Sequence, residues 1–306
     1  MIERIENIVS QVFVDEEKHS DIMSKMNEIP ELKKHGEMVD EIAISAFDFV
    51  RAYCDLESKI QQDREKLFSK EYMDKMAQLA DEGVFLYFLE TPDMPLLDEE
   101  LTAQKIIDLF YHSNCFSLQT LFYNIMQLRD ASPSMKRKTD DIDICFQLLI
   151  FGYSHCQNNN GAYYRSVARN MFALLDAEHK KCANVFEGFF EKKKTFRNGL
   201  QRSLKIQQLV NNLNVQWENT VWEKINEYYR KITIKDKQDG VIHRNSIIHG
   251  DYESENIDVS SNDAMKLMLL WINMRLLADK LSYMNEIMEI FLTYLPAIIK
   301  QNIDGK

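Results

Sequence analysis

The scarcity of chain breakers is the feature that most narrows the fold: 306 residues contain only 9 glycines and 5 prolines. Sheets depend on tight turns, and tight turns draw on Gly, Pro and Asn at left-handed or fixed-φ positions. A chain this poor in them is expected to run in long helices with few loops. Hydrophobic residues make up 45% of the sequence, with Met (15) and Phe (17) well represented, so it has the apolar material for a sizeable core. No stretch shows convincing strand alternation, and neither an internal repeat nor a Gly-rich phosphate loop is present. The expected fold class is all-α, a helical bundle.

Periodicity places the helices. Residues 2–29 read as one helix, stopped by Pro30, and 37–90 read as two. In the first of that pair Ile42, Ala46, Phe49, Val50 and Tyr53 share a face; Leu79, Phe85, Leu86, Phe88 and Leu89 crowd the end of the second. After the break at Pro92 and Pro95, a helix is expected over about 98–129. Ser132-Pro133-Ser134 and the polar stretch to Asp140 read as a linker, with a short helix from Asp141 to about Tyr153. Longer helices are expected over 162–194, 203–232 and 261–300. Ser260 caps the last of these, with Asp263 three residues on. The implied division is an acidic N-terminal helical region of unknown role, 1–132, and a second helical domain, 133–306.

Several function classes fall away. No apolar run reaches the roughly 18 residues of a membrane span, so no membrane partner is expected. The charged start, Met1-Ile2-Glu3-Arg4, is unlike a signal peptide. Five cysteines (Cys54, Cys115, Cys145, Cys156 and Cys182) form no CxxC pair and fit a reduced cytoplasmic setting. The net charge of −11 argues against nucleic acid until it is divided along the chain. Residues 1–130 carry about −14, 131–179 about 0, 180–250 about +7 and 251–306 about −4. The basic excess lies just before the segment with the most chemical character, although Lys192-Lys193-Lys194 also reads as a solvated helix end.

That segment is Arg244-Asn245-Ser246-Ile247-Ile248-His249-Gly250. An Arg and a His separated by four residues arise by chance roughly 0.3 times in such a chain; requiring the Asn and the Gly lowers this to the order of 0.001. On a helical turn Asn245 and His249 share a face, Ile247 and Ile248 anchor the turn in the core, and Gly250 ends it. A guanidinium can hold a phosphate bidentately, and an imidazole moves protons near neutral pH without a metal. Together they suffice for attack of an RNA 2′-hydroxyl on the adjacent phosphate. His249 acts as general acid or base, Arg244 stabilises charge on the phosphoryl oxygens, and Asn245 orients one or the other.

The heptapeptide resembles the motif of the HEPN superfamily: Arg-x4–6-His with a polar residue after the Arg, ahead of the last long helix of a helical domain. The resemblance covers about eight residues directly, and by its bundle expectation 133–306. It implies a metal-independent endoribonuclease that leaves 2′,3′-cyclic phosphate and 5′-hydroxyl ends and needs no cofactor. It further implies a toxin or antiphage role, an antitoxin or regulatory partner, and a homodimer whose two motifs form one composite site on RNA. The catalytic set carried over is Arg244, Asn245 and His249. Some family members place a modifiable Tyr two residues after the His; here Tyr252 is one residue further on, so that form of control does not transfer. His243, immediately before Arg244, could assist it, although neighbours in sequence need not face the same way.

Blander readings compete. Arg244 could pair with an acid such as Asp251 while His249 settles the helix end, leaving a non-catalytic module that binds RNA or protein. Glu16-x-x-His19 and Asp176-x-x-His179 resemble halves of a carboxylate-bridged di-metal bundle, a third reading, but solvated helix faces explain them equally. His112 with Cys115 lacks a partner pair for zinc, and Cys145, His155, Cys156 and Cys182 are irregularly spaced and read as core. Tyr163, Tyr164, Trp217, Trp222, Tyr228 and Tyr229 could stack on bases, though aromatics at helical spacing are more often core.

Overall fold

The computed structural model describes residues 70–87, 102–112, 133–155, 161–199, 216–233, 242–249 and 259–304. Among them are seven helices and no strand: α1 (Lys70–Asp81), α2 (Ala103–His112), α3 (Pro133–His155), α4 (Gly161–Gly199), α5 (Gln216–Thr233), α6 (Arg244–His249) and α7 (Ser261–Asp304). The protein is all-α there, as the lack of breakers predicts. The expected helix over 2–29, the part of the 37–90 stretch before residue 70, and residues Glu16 and His19 lie outside the described residues.

Backbone contacts divide the chain into two compact units, each built from separate stretches of sequence. One comprises 68–183 and 216–278; the other comprises 1–67, 184–215 and 279–306. Residues on both sides of position 132 therefore contribute to the first unit. Within it the leading part of α7 is the central helix. Every residue from Leu267 to Arg275 is buried, as are Ala264, Met265, Leu277 and Ala278. A helix buried on all sides shows no amphipathic stripe. Trp271, a residue that could have served an interface between chains, is wholly within this core. Asn273 is tolerated there because its amide donates to the carbonyls of Leu269 (2.9 Å) and Phe85 (3.0 Å). Arg275 pairs with Glu178 of α4 at 3.1 Å, both side chains almost fully removed from water.

Two helix boundaries differ from the sequence expectation. The helix expected to run on towards residue 90 stops at Asp81. Gly83 takes φ +90°, Val84 N–H donates to the Leu79 carbonyl (2.8 Å) and Gly83 N–H to that of Ala80 (2.9 Å). This Schellman closure satisfies the last carbonyls and turns Val84, Phe85 and Leu86 into the core as non-helical chain. The stretch expected to be a linker is the start of α3, with Pro133 as its first residue. At that position proline lacks only an N–H that the helix would leave unpaired, and its fixed φ suits the turn. The predicted cap of α7 is present: Asp263 N–H donates to Ser260 Oγ (3.2 Å), and Ser260 N–H returns to Asp263 Oδ2 (3.0 Å).

The second unit is described over 184–199 and 279–304. There Asn285 Nδ2 donates to the Val185 carbonyl at 2.9 Å, tying α7 to α4, and Phe186, Phe189, Leu281 and Met284 are buried. No helix among the described residues is long and apolar enough to cross a membrane.

Candidate functional site

α6 is a single short helix, and three attachments hold it. Ile247 is fully buried, and its N–H donates to the His243 carbonyl at 3.2 Å, which starts the helix. Its own carbonyl accepts from Nε of Arg169 on α4 at 3.2 Å. Arg244 reaches Asp176, also on α4. Ile248 departs from the expectation: only one of the two aliphatics anchors the turn, and Ile248 is 38% exposed. Ile248 points about 100° further round the helix than Ile247 and so faces out of the core. His243 is buried rather than presented beside Arg244.

Arg244 is the best-defined member of the motif. Its Nε (2.9 Å) and Nη2 (2.5 Å) both donate to Oδ2 of Asp176, and Nη1 lies 3.4 Å from Oδ1 of Asn245. The other oxygen of Asp176 accepts from the Tyr229 hydroxyl at 2.6 Å. One carboxylate thus fixes a guanidinium from α6 and a phenol from α5. Arg244 and Asp176 each keep about a third of their side-chain surface (32%) open to solvent, so the pair stands at a wet surface and not in the core. Of the five N–H bonds of the guanidinium, three are engaged by Asp176 and Asn245 among the described residues. One on each terminal nitrogen is not.

Asn245 is half-buried beside Arg244, its Oδ1 within reach of Nη1. His249 is the last residue of α6, in helical register with Asn245; its side chain lies outside the described residues, as do Gly250, Asp251 and Tyr252. Among the described residues the acid on Arg244 is Asp176, 68 residues away in sequence.

One helical turn beyond Asp176, His179 packs face-on to Tyr229, with ring centroids 3.9 Å apart and planes 15° apart; Trp222 lies on it at 5.0 Å and 32°. Nε2 of His179 sits 2.9 Å from Oδ1 of Asn226. An amide oxygen only accepts, so the ring carries its proton on Nε2. Burial lowers the His179 pKa below its usual 6.5, against opposing effects of Asn226 and Asp176, so the neutral ring is favoured. The Tyr229 pKa is raised by burial and by its bond to the Asp176 carboxylate, outweighing the pull of Arg244. The phenol is therefore a donor and not a base.

Asp176 and His179, read in the sequence as half of a di-metal pattern, are spent on Arg244, Tyr229 and Asn226. Among the described residues no group of three or more His, Cys, Asp or Glu side chains could hold a metal ion. Cys145 and Cys182 are buried, as expected of core cysteines. Cys182 donates to the Met274 carbonyl, and burial with the nearby Asp141 charge pushes the Cys145 thiol up to about 12. The Cys145 thiol is therefore not a nucleophile at neutral pH. Motif reading missed Arg169 and Asn226 and singled out Asp176 and Tyr229 for other roles, a metal pattern and base stacking. Helical spacing is the signal that links them: 169 and 176, like 222 and 229, are seven apart and share a helix face.

No family model, curated protein or solved structure matches the chain.

Proposed function

We propose that this protein is a metal-independent endoribonuclease of HEPN type, with Arg244 as the phosphate-binding and charge-stabilising group, Asn245 as its neighbour in orientation and His249 as the proton-transfer group. The observation that carries this reading is the state of Arg244. A solvent-facing guanidinium is held by Asp176 at one edge while a terminal N–H on each of Nη1 and Nη2 is not engaged by the described residues. A preoriented cation of this kind needs little rearrangement to meet a phosphoryl oxygen as charge develops on it. The ribose 2′-hydroxyl is the nucleophile, its oxygen bonding to phosphorus as the 5′-oxygen leaves. The products are a 2′,3′-cyclic phosphate and a 5′-hydroxyl.

A single Arg and His supply one proton-transfer group, whereas in-line transfer gains from a base and an acid on opposite sides. The chain has no second Arg-x4–6-His segment, so the proposed active form is a homodimer with its motifs facing each other across a two-fold axis. A role as a toxin or antiphage effector under an antitoxin or regulatory partner belongs to the same proposal.

The test is cleavage of single-stranded RNA by the purified protein. Arg244→Ala and His249→Ala should each lower the rate on the order of 100-fold or more, with folding kept. Arg244→Lys should also be poor, because lysine lacks the planar fork. Excess chelator should leave the rate unchanged, and a 2′-deoxy nucleotide at the scissile position should block cutting. Sedimentation at assay concentration should show a dimer. Cleavage that survives both alanine variants sinks the assignment.

The Arg244–Asp176 pair also favours a second reading. A guanidinium already neutralised by a carboxylate suits a binding module without catalysis. In that case RNA would bind, Arg244→Ala would weaken binding, and no cyclic phosphate would form.

A further inference from the structure

The aromatic residues at helical spacing divide into two kinds in the structure. Tyr228 turns inward, is 7% exposed and meets Phe85 edge-on; Trp217 meets Tyr87 edge-on. Trp222 and Tyr229 are different. They lie two turns apart on one side of α5, remain half-exposed, and both pack on the half-exposed ring of His179 from α4. The three planar groups form a cluster that retains water contact, with Tyr229 stacked on His179 and Trp222 tilted against it.

Polar anchors fix these planes. The Tyr229 hydroxyl is bound to Asp176 and the His179 ring to Asn226, so little rotamer freedom remains to be lost when a flat ligand settles on them. The cluster adjoins Arg244, because Tyr229 and Arg244 bind opposite oxygens of the same carboxylate. His179 lies three residues from Asp176, about 4.5 Å along α4, a length that one nucleotide covers. Exposed Arg169, Lys180 and Arg230 lie on or next to the same faces of α4 and α5 by helical register, and so do the exposed acids Glu223 and Glu227. The ring planes and Arg244, rather than net charge, therefore set what this surface can hold.

We infer that Trp222, His179 and Tyr229 form a nucleobase subsite, on which the base next to the phosphate held by Arg244 stacks. The inference rests on the reading of Arg244 as a phosphate ligand and adds a specificity element to it. The substrate strand must be unpaired at this nucleotide, since a paired base cannot offer its face. Every base has such a face, so the subsite selects single-stranded RNA with little preference among bases.

The test uses a short 2′-O-methyl RNA of mixed sequence, which cannot be cleaved, and copies carrying one abasic nucleotide stepped along it. Affinity is read by fluorescence anisotropy of an end label. One abasic position should weaken binding by about tenfold, the loss expected for one stacked base. Trp222→Ala and His179→Ala should weaken the intact strand by a similar factor and erase the difference at that position. Arg244→Ala should weaken both strands alike and keep the difference. Because the abasic change is made in the ligand, it reads the subsite even if a variant fails to fold. If no abasic position matters, if the effect persists in Trp222→Ala and His179→Ala, or if the strand does not bind, the subsite is overturned. Cleavage that depends on Arg244 without any abasic effect leaves the nuclease reading standing alone. An abasic effect without cleavage leaves the subsite standing and removes the nuclease.

Discussion

Arg244 and Asp176 meet through a single carboxylate oxygen, Oδ2, which takes both Nε and Nη2 of the guanidinium, while Oδ1 is left to Tyr229. A carboxylate facing a guanidinium fork commonly uses both oxygens. Here the second oxygen holds the phenol, so Asp176 aligns α5 and α6 together.

Asp176 is accordingly expected to act as a positioning residue. With both partners about a third exposed, the pair contributes at most about 1 kcal/mol to stability. Asp176→Asn should shift the melting temperature by no more than a few degrees, yet lower RNA cleavage by roughly 10- to 100-fold through misplacement of Arg244. Faster cleavage in Asp176→Asn would mean that the carboxylate restrains Arg244, and the positioning role would be wrong.

The Glu178–Arg275 pair should behave in the opposite way. Both side chains are buried, so removing one leaves a charge stranded in the core. Glu178→Ala and Arg275→Ala should each cost about 3–5 kcal/mol by denaturant unfolding. Joint replacement by Glu178→Met and Arg275→Met should recover most of that loss, because two apolar side chains need no partner there. A double variant as unstable as the singles would show that the charges are needed for more than each other.

Gly83 should tolerate no side chain. Its φ of +90° is strained for any other residue, and a Cβ there would run into the hydroxyl and ring of Tyr228. Gly83→Ala should lose about 1–2 kcal/mol from backbone conformation alone and more from the clash. A loss below this, measured by urea unfolding, would mean that the turn after α1 can relax.

His179 should leave a signature in the pH dependence of stability. Its folded pKa lies below the ordinary 6.5, so the unfolded chain takes up the proton first as pH falls. The contribution of the neutral ring is complete above about pH 6.5 and declines as pH drops through the folded pKa. The stability gap between wild type and His179→Gln should therefore narrow below that pH. A gap that stays constant, or widens, from pH 7 to pH 5 would contradict the assigned shift.

The sequence made local features readable. Few breakers meant helices, the Ser260/Asp263 pair marked the start of α7, and the spacing within 244–249 matched a helical turn. Its errors arose where two local signals competed. Phe85 and Leu86 continued an apolar pattern, and that pattern concealed the helix stop at Gly83. The polar surroundings of Pro133 suggested a linker, although proline at the first helical position is favourable. The site was legible only in part. Periodicity shows which residues share a face and not which distant face they meet, so the one acid named as a possible partner of Arg244 was its neighbour Asp251, which lies outside the described residues. Asp176 comes to Arg244 from another helix, and Asn226 and Tyr229 come to the site by the same tertiary route.

The attachment of α6 to α4 works as a ruler. Arg169 holds the Ile247 carbonyl and Asp176 holds Arg244, so α6 lies antiparallel along two turns of α4. Adding or deleting one residue between positions 169 and 176 would swing one attachment about 100° around the helix and release one end of α6. Of the intervening residues Met171, Phe172 and Leu175 are fully buried, so the segment is held to one length by α6 and to apolar side chains at those three positions by the core.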